Sequence, residues 1–247
     1  MVSLVGAIPK VQEILNQPVI VGGLAVMSRL DNAYRTTQDL DTLRRRIDGS
    51  ASGLEVLRDA GASDLNEIGV SLPTARGMVR VDVLEARDSD LDRTFTDPTD
   101  RLEAMAHHWT LDTATTMAIY ARDVTGPATP QSKEGSVDET HAVVLVARPG
   151  PLVAMKLKAS IDRLAAKEAT DLNDIVRLMT DPGTAERVMT DFETADKQLR
   201  QDVALHAEQK FVNEMSNTRR LIRTLGNQGA SPELIDGTAD LLSGMFT

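Results

Sequence analysis

The sequence predicts an α/β (α+β) protein in two parts: a mixed sheet with flanking helices over residues 1–150, and a helical C-terminal domain over residues 151–247. Short β-branched runs such as PVIVGG and AVVLVARPG alternate with segments of helical spacing in the first part. In the second part, apolar residues recur at helical spacing in nearly every segment. The length of 247 residues is enough for one large or two small domains with a substantial core.

The first elements alternate between helix and strand. The stretch IPKVQEILNQ predicts a short amphipathic helix that begins after Pro9. PVIVGG predicts a strand that ends in the pair Gly22–Gly23, and LAVMSRL predicts a helix after it. RTTQDLDTLRR predicts a second strand. At a period of two, one face of this strand carries four polar residues: Arg35, Thr37, Asp39 and Asp41.

The middle of the chain predicts further sheet elements. SGLEVLRDAGA predicts a helix, and EIGVSLPTARGMVRVDVLEA predicts a hairpin with its turn at Pro73–Gly77 and Asp82 in its second arm. Residues 100–124 indicate helix mixed with irregular structure. Residues 125–140 are rich in Gly, Pro, Ser and Thr and predict a loop, after which AVVLVARPG predicts a strand.

The C-terminal half predicts helices. Residues 152–180 indicate one helix, and others are expected around residues 188–211, 213–225 and 231–242. At about 100° per residue, four polar residues would lie along one side of the helix over residues 152–180: Lys156, Arg163, Lys167 and Asp174. Asp171 would lie about 60° away from that line. This face could present a lysine to phosphates and an acid to position it.

Composition excludes several function classes. The chain has no Cys, so disulfides, thiolate metal sites and thiol nucleophiles are excluded. The start of the sequence shows no signal-peptide pattern and the longest apolar stretch is too short for a membrane span, so we expect a cytoplasmic protein without a membrane partner. The net charge of −10 argues against nucleic acid as a partner. Because the excess acid lies in residues 51–151, a basic groove built from the first and third parts of the chain remains open.

The most informative residues are three carboxylates. Asp39 and Asp41 lie on one predicted strand, and Asp82 lies on another, so the three could converge. Hard oxygen ligands of this kind suit Mg²⁺, which takes its remaining ligands from water and substrate phosphates. The glycine pair between strand and helix would let backbone N–H groups approach a triphosphate. The alternative is a solvated strand edge, since Asp-x-Asp also occurs in the polar stretch ARDSDLDRT.

The order of these segments resembles a known family. GG-L-A-V, R-x-T-x-D-L-D, V-D-V, P-L-V-A-M-K-L-K-A and K-E-x-x-D-L, over roughly residues 18–180, are similar to the AbiEii/MenT-type nucleotidyltransferases of the polymerase-β-like superfamily. These are toxins of toxin–antitoxin pairs. The resemblance implies a nucleotidyltransferase-type sheet, Mg²⁺-dependent transfer of a nucleotide from an NTP, and a cognate antitoxin. Some relatives modify the 3′ end of tRNA and block translation, so an RNA acceptor, with tRNA foremost, is expected.

With this resemblance, the candidate residues fall into three sets. The nucleotide-binding set is Gly22, Gly23, Arg35, Thr37 and Lys156. The catalytic set is Asp39, Asp41, Asp82, Lys156 and Asp171. The metal set is Asp39 and Asp41. The chain departs from the family at Lys167–Glu168, where relatives commonly carry a basic residue followed by Asp, so the roles of these two residues stay open.

Two other functions remain open from the sequence. The acceptor could be a small molecule, such as an aminoglycoside-like antibiotic, or a protein hydroxyl; the acidic middle of the chain suits a cationic antibiotic better than RNA. A non-catalytic binding protein on the same scaffold is the second alternative. His107 and His108 are interpreted as structural, because adjacent residues point apart and do not easily chelate one ion.

Overall fold

A computed structural model describes residues 1–125, 136–162 and 165–246. The strands are β1 (Val19–Ile20), β2 (Asp39–Arg45), β3 (Ser63–Asp64), β4 (Gly69–Thr74), β5 (Gly77–Ala86), β6 (Thr115–Thr125) and β7 (Ser136–Val146). The helices before residue 150 are α1 (Val2–Leu15), α2 (Gly22–Arg29), α3 (Gly53–Asp59) and α4 (Pro98–Thr113). The later helices are α5 (Pro149–Asp162), α6 (Ala165–Thr180), α7 (Ala185–Glu193), α8 (Lys197–Glu208), α9 (Met215–Arg223) and α10 (Pro232–Phe246). The predicted fold class is confirmed.

Within the described residues, the strands form one mixed sheet in the order β3-β4-β5-β2-β1-β7-β6. β2 runs parallel to β5 and β1 runs parallel to β7, whereas β1 and β2 are antiparallel. The register pairs Asp41 directly with Asp82 across β2 and β5. Because directly paired residues project from the same face of a sheet, these two carboxylates lie on one side.

The first helix is longer than predicted. Pro9 lies inside α1 and does not mark its start. The residues before it include Val5 and Ile8, which are fully buried, so packing against the sheet outweighs the backbone hydrogen bond that a proline cannot make. The helix ends at Leu15 and is followed by Asn16, which has the left-handed φ of 56° that is common after the last turn.

The strand β6 was not predicted. Among the described residues it pairs only with β7, in a continuous antiparallel register from Thr115 opposite Val146 to Thr125 opposite Ser136. Its outward side chains are polar or exposed, Tyr120 among them, and this masks the alternation that marks a strand. The predicted loop is also wrong at its end, because residues 136–140 belong to β7. Residues 126–135 of that loop lie outside the described part of the chain.

The single helix predicted over residues 152–180 is wrong. On one straight helix, Lys156 and Asp171 would lie about 22 Å apart. Their Nζ and Oδ1 atoms are 2.6 Å apart, so α5 and α6 fold back against each other. Arg163, which was placed on the same line, lies outside the described residues. The face predicted for one helix is therefore assembled from two.

One hydrophobic cluster joins the two halves of the chain. It includes Leu24 and Leu40 from the sheet half, and Leu157 and Ile175 from α5 and α6. The helices α5 and α6 both pack against α2, so the C-terminal helices cover the end of the sheet where β1 leads into α2. Among the helices of the described residues, none combines the length and hydrophobicity that a membrane crossing needs.

Candidate active site

The carboxylates of the predicted site lie on β2 and β5. Asp39 is the first residue of β2, Asp41 follows on the same face, and Asp82 is paired with Asp41. Arg80 links Asp39 to Asp82, since its Nε atom lies 3.6 Å from Asp39 Oδ1 and 2.8 Å from Asp82 Oδ1. The structure therefore brings together the three acids that the sequence singled out.

Asp41 packs against the turn between β1 and α2. Gly22 has a φ of +61°, and a Cβ atom added to it would lie 2.0 Å from Asp41 Oδ2, so only glycine fits there. The Gly23 N–H donates to the same oxygen over 3.4 Å. Burial is the main cause that raises the pKa of Asp41 to about 6; Lys156 opposes the rise, whereas Asp82 and Asp39 add to it.

The carboxylate of Asp82 is already paired with another side chain of the protein. Both of its oxygens accept hydrogen bonds from Arg80, each over 2.8 Å, in a two-pronged contact. Its side chain is buried, whereas Arg80 is partly exposed. Arg80 thus occupies one acceptor position on each oxygen of Asp82 and leaves the others open.

Arg35 and Thr37 reach the site from outside the strand. The expectation that β2 begins at Arg35 is wrong, because the strand begins at Asp39. Both side chains nevertheless converge on Gly23: a Cβ atom added there would lie 3.0 Å from Thr37 Oγ1 and 3.0 Å from Arg35 Nη2. The segment before β2 thus lies over the start of α2 and holds the same residues near the glycine pair.

The predicted lysine lies in a buried ion cluster. Lys156 Nζ is 2.6 Å from Asp171 Oδ1 and 2.8 Å from Asp174 Oδ2. Asp174 also binds Arg35, with 2.8 Å between Oδ2 and Nη2, and accepts a hydrogen bond from the Tyr34 hydroxyl. The sequence places Asp174 on the predicted helix face, but Asp174 is not among the predicted site residues. Its i+3 spacing from Asp171 on a helix was the available signal.

The charges of this cluster stabilise one another. Burial alone would lower the pKa of Lys156, but Asp171 and Asp174 raise it above its usual value. Burial would raise the pKa of Asp174, but Lys156 and Arg35 hold it below its usual range. Lys156, Asp174 and Arg35 therefore stay ionised at neutral pH. Arg35 and Lys156 are held in place through one shared carboxylate.

A cavity of about 160 Å³ opens beside Asp41 and Gly22. Its walls come from β2, β5, α4 and α5. The apolar part of the lining includes Val21, Leu84, Leu152 and Met155, and the polar part includes Glu103, His107, Lys156, Lys158 and Asp162. Lys158 Nζ lies 2.5 Å from Glu103 Oε2 and 2.8 Å from Asp162 Oδ2. The sequence did not single out Glu103 or Lys158, because only the packing of α4 on α5 brings them together.

The two histidines have different surroundings. His108 is buried and its Nε2 lies 3.0 Å from the Arg87 carbonyl oxygen, in keeping with a structural role. His107 lines the cavity beside Asp41. Burial lowers the pKa of His107 to about 4, so its ring is neutral at pH 7. The two rings thus have different neighbours: His107 borders the cavity, and His108 contacts the backbone at Arg87.

The family departure at Lys167–Glu168 lies away from the carboxylates. Glu168 Oε1 binds Lys210 Nζ over 3.0 Å, and Lys210 also binds Glu214. Lys167 is exposed on α6. Through Lys210, Glu168 therefore links α6 to the helical turn that directly follows α8, within the C-terminal half of the chain.

The donor set fits a divalent cation held by two carboxylates. Among the described residues, no group of three or more His, Asp or Glu side chains has an arrangement that would hold a metal by itself. Asp39 and Asp41 offer hard oxygen atoms on one face, and a cation there would relieve the repulsion that helps to raise the pKa of Asp41. Mg²⁺ commonly takes one or two protein carboxylates and completes its coordination with water and phosphates.

Two comparisons with known proteins bear on this arrangement. A family model described as nucleotidyl transferase AbiEii toxin, type IV TA system, matches residues 12–232. That range contains all the candidate residues named above. No curated protein matches the chain significantly.

Proposed function

The chain belongs to the AbiEii nucleotidyl transferase toxin family of type IV toxin–antitoxin systems, and from this premise we propose that it transfers a nucleotide from an NTP to RNA. The expected acceptor is the 3′ end of tRNA, whose modification would block translation. The observation that supports this proposal most directly is that Asp41, Gly22 and Lys156 line one cavity. A carboxylate, a glycine turn at a helix start and a cation are the groups that a nucleoside triphosphate requires.

Each residue has a proposed role. Asp39 and Asp41 hold Mg²⁺, which when bound would neutralise phosphate charge and polarise the reacting phosphoryl group. The N–H groups of Gly22 and Gly23 approach the triphosphate. Lys156 divides its charge between the phosphates and the acids Asp171 and Asp174. Arg35 and Thr37 lie against Gly23 at the start of α2, and there we propose that they contact the nucleotide.

The proposed reaction is a single displacement. The acceptor hydroxyl oxygen bonds to the α-phosphorus of the NTP, and the bond to pyrophosphate breaks with its electron pair on the leaving group. The hydroxyl proton passes to a carboxylate. Asp82 is the proposed acceptor of that proton, because each of its oxygens keeps an acceptor position that Arg80 does not use.

A cationic small molecule is the second candidate acceptor. Glu103 and Asp162 both line the cavity, and the middle of the chain is strongly acidic. These charges favour an aminoglycoside-like acceptor over a polyanion. The labelling experiment described next also tests the two remaining alternatives, which are transfer to a protein hydroxyl and a binding function without catalysis.

The test is transfer of label from each of four α-labelled NTPs, with Mg²⁺, to total tRNA, to aminoglycosides and to the protein itself. The variant is Asp39→Asn/Asp41→Asn. Asp88→Asn/Asp90→Asn is the matched control, because it removes an Asp-x-Asp pair from the 3₁₀ turn after β5. We expect labelled tRNA from the wild type and the control, and a loss of at least about a hundredfold in the variant, the scale seen when groups that stabilise transition-state charge are removed.

Other outcomes separate the alternatives. Label on an aminoglycoside or on the protein, lost in the same variant, keeps the site and changes the acceptor. Label that persists in Asp39→Asn/Asp41→Asn would contradict the metal assignment. No label on any acceptor, with every NTP, would favour the binding protein.

A further inference from the structure

Three arginine side chains lie around the end of α2 opposite to Gly22. Arg29 is the last residue of α2, Arg148 immediately precedes α5, and Arg187 lies on α7. Arg187 and Arg148 both act electrostatically on Arg29, together with the carboxylate of Asp191. We call Arg29, Arg148 and Arg187 the arginine cluster.

Arg29 is held rigidly by backbone groups at the end of the sheet. Its Nε donates to the Ala147 carbonyl oxygen over 2.8 Å, and its Nη2 donates to the Val146 carbonyl oxygen and to Thr115 Oγ1, each over 2.7 Å. Within the described residues, these hydrogen bonds go to carbonyl oxygens and a hydroxyl, and none goes to a carboxylate. Its charge is thus fixed in position without a direct counter-ion.

The cluster carries more positive than negative charge. The buried Asp191 pairs with Arg148 and also accepts a hydrogen bond from the Gly150 N–H over 2.9 Å. Arg187 stands four residues before Asp191 on the same side of α7, is exposed, and makes no ion pair within the described part of the chain. Burial lowers the pKa of Arg29 to about 10; Arg187 and Arg148 add to this effect, and Asp191 opposes it. Three cations therefore share one carboxylate, and an anion would relieve their repulsion.

The position of the cluster relates it to the carboxylate site. Arg29 lies seven residues after Gly22 on one helix, so the two ends are about 10 Å apart. Along a stacked strand, that distance corresponds to roughly three nucleotides at about 3.4 Å each. This separation matches the distance between a 3′-terminal nucleotide at Asp41 and a backbone phosphate about three nucleotides before it.

We propose that the arginine cluster binds a backbone phosphate of the RNA acceptor, a few nucleotides from the 3′ hydroxyl. This inference rests on the proposed transfer to RNA and adds the surface that receives it. Guanidinium groups suit phosphate because their N–H donors match two oxygens at once. In a chain of net charge −10, a local excess of positive charge also determines where a polyanion can approach.

The test is RNA binding without NTP. The probe is a fluorescently labelled RNA hairpin with a short single-stranded 3′ end, and anisotropy titrations are run at several salt concentrations. Arg187→Ala is the variant, because Arg187 is exposed and its loss leaves the Arg148–Asp191 pair intact. Arg223→Ala is the matched control: Arg223 is an exposed arginine on α9, and its removal changes the net charge equally. NTP binding is measured on the same proteins.

Loss of one phosphate contact should reduce the slope of log affinity against log salt by roughly 0.7–0.9. We expect this for Arg187→Ala, with a larger reduction for Arg187→Glu, an unchanged slope for Arg223→Ala, and unchanged NTP binding. Equal slopes for Arg187→Ala and Arg223→Ala would overturn the inference. So would weaker NTP binding in Arg187→Ala, because the cluster would then serve the triphosphate. A wild type that binds no RNA also overturns it, whereas transfer of label to another acceptor would leave the nucleotidyltransferase function standing.

Discussion

Asp174 illustrates how one residue sets the electrostatics of the site. It is fully buried, binds the cations of Arg35 and Lys156, and accepts a hydrogen bond from Tyr34. A buried carboxylate without these partners would be strongly destabilising. With them, the carboxylate stays charged and holds two cations near the glycine turn. Asp174 is therefore a positioning residue for Arg35 and Lys156.

His107 gives a pH dependence at the same scale. Burial lowers its pKa to about 4; Lys158 and His108 add to this effect, whereas Glu103 and Asp90 oppose it. The unfolded chain has a histidine pKa near 6.5, so between about pH 4 and pH 6.5 the unfolded state binds the extra proton and the folded state does not. The free energy of unfolding should therefore fall as the pH falls through this window.

Replacement of His107 tests that dependence. Chemical denaturation at pH 7 and pH 5 should show a smaller loss of stability for His107→Gln than for the wild type, because glutamine does not titrate. Identical losses for the two proteins would show that the pKa of His107 does not depart from its ordinary value.

At the scale of elements, the turn between β1 and α2 makes a sharp prediction. Gly22→Ala and Gly226→Ala both place a side chain at a left-handed φ, +61° and +58°, which costs about 1–2 kcal/mol. Only Gly22→Ala also drives a Cβ atom into Asp41, since nothing lies within 4 Å of the Gly226 position. We expect similar small losses of stability from backbone strain, a further loss for Gly22→Ala, and loss of nucleotidyl transfer in Gly22→Ala alone. Retained transfer in Gly22→Ala would show that Asp41 tolerates displacement.

The pairing of α5 with α6 allows folding and catalysis to be separated. Lys156→Met leaves Asp171 and Asp174 buried without their lysine, which should lower the free energy of unfolding by about 3–5 kcal/mol. Lys156→Met/Asp171→Leu removes one of the two buried acids that lost the lysine, while Asp174 keeps Arg35, so it should be more stable than the single variant.

Activity of the double variant then decides the role of Lys156. If the lysine binds the triphosphate, both variants lack transfer activity although stability is partly restored. Recovery of activity along with stability would mean that Lys156 acts only in folding.

At the scale of the whole molecule, we expect the two halves to unfold as one unit. One hydrophobic cluster spans the boundary near residue 150, and the Arg35–Asp174 ion pair crosses it. Differential scanning calorimetry should show a single transition whose van 't Hoff and calorimetric enthalpies agree. The chain cut after residue 150 should not fold alone, because α5 no longer covers α2. Two separate transitions would instead support the boundary as a division between autonomous domains.

Much of the fold could be predicted because its signals are local. The β4–β5 hairpin has a turn between two apolar runs, and α10 begins at Pro232, at the start of the helix predicted around residues 231–242. The strand β6 was missed because it borders the sheet and shows exposed residues on its outer side. The break between α5 and α6 was missed because apolar periodicity continues across it. In each case, the secondary structure of the segment depends on packing against residues that are distant in the sequence.

By itself, the sequence determined the mixed α/β class, the alternation that puts Asp39 and Asp41 on one face, and the glycine pair between strand and helix. These depend on residues close together in the chain, where geometry has a period of two or 3.6. The tertiary structure decided which distant charges meet: Arg80 with Asp39 on the neighbouring strand, His107 beside Asp41, and Arg35 with Asp174, which lie 139 residues apart. Burial and contacts between distant residues determine where these charges lie and how strongly they interact. A local sequence pattern carries no information about either.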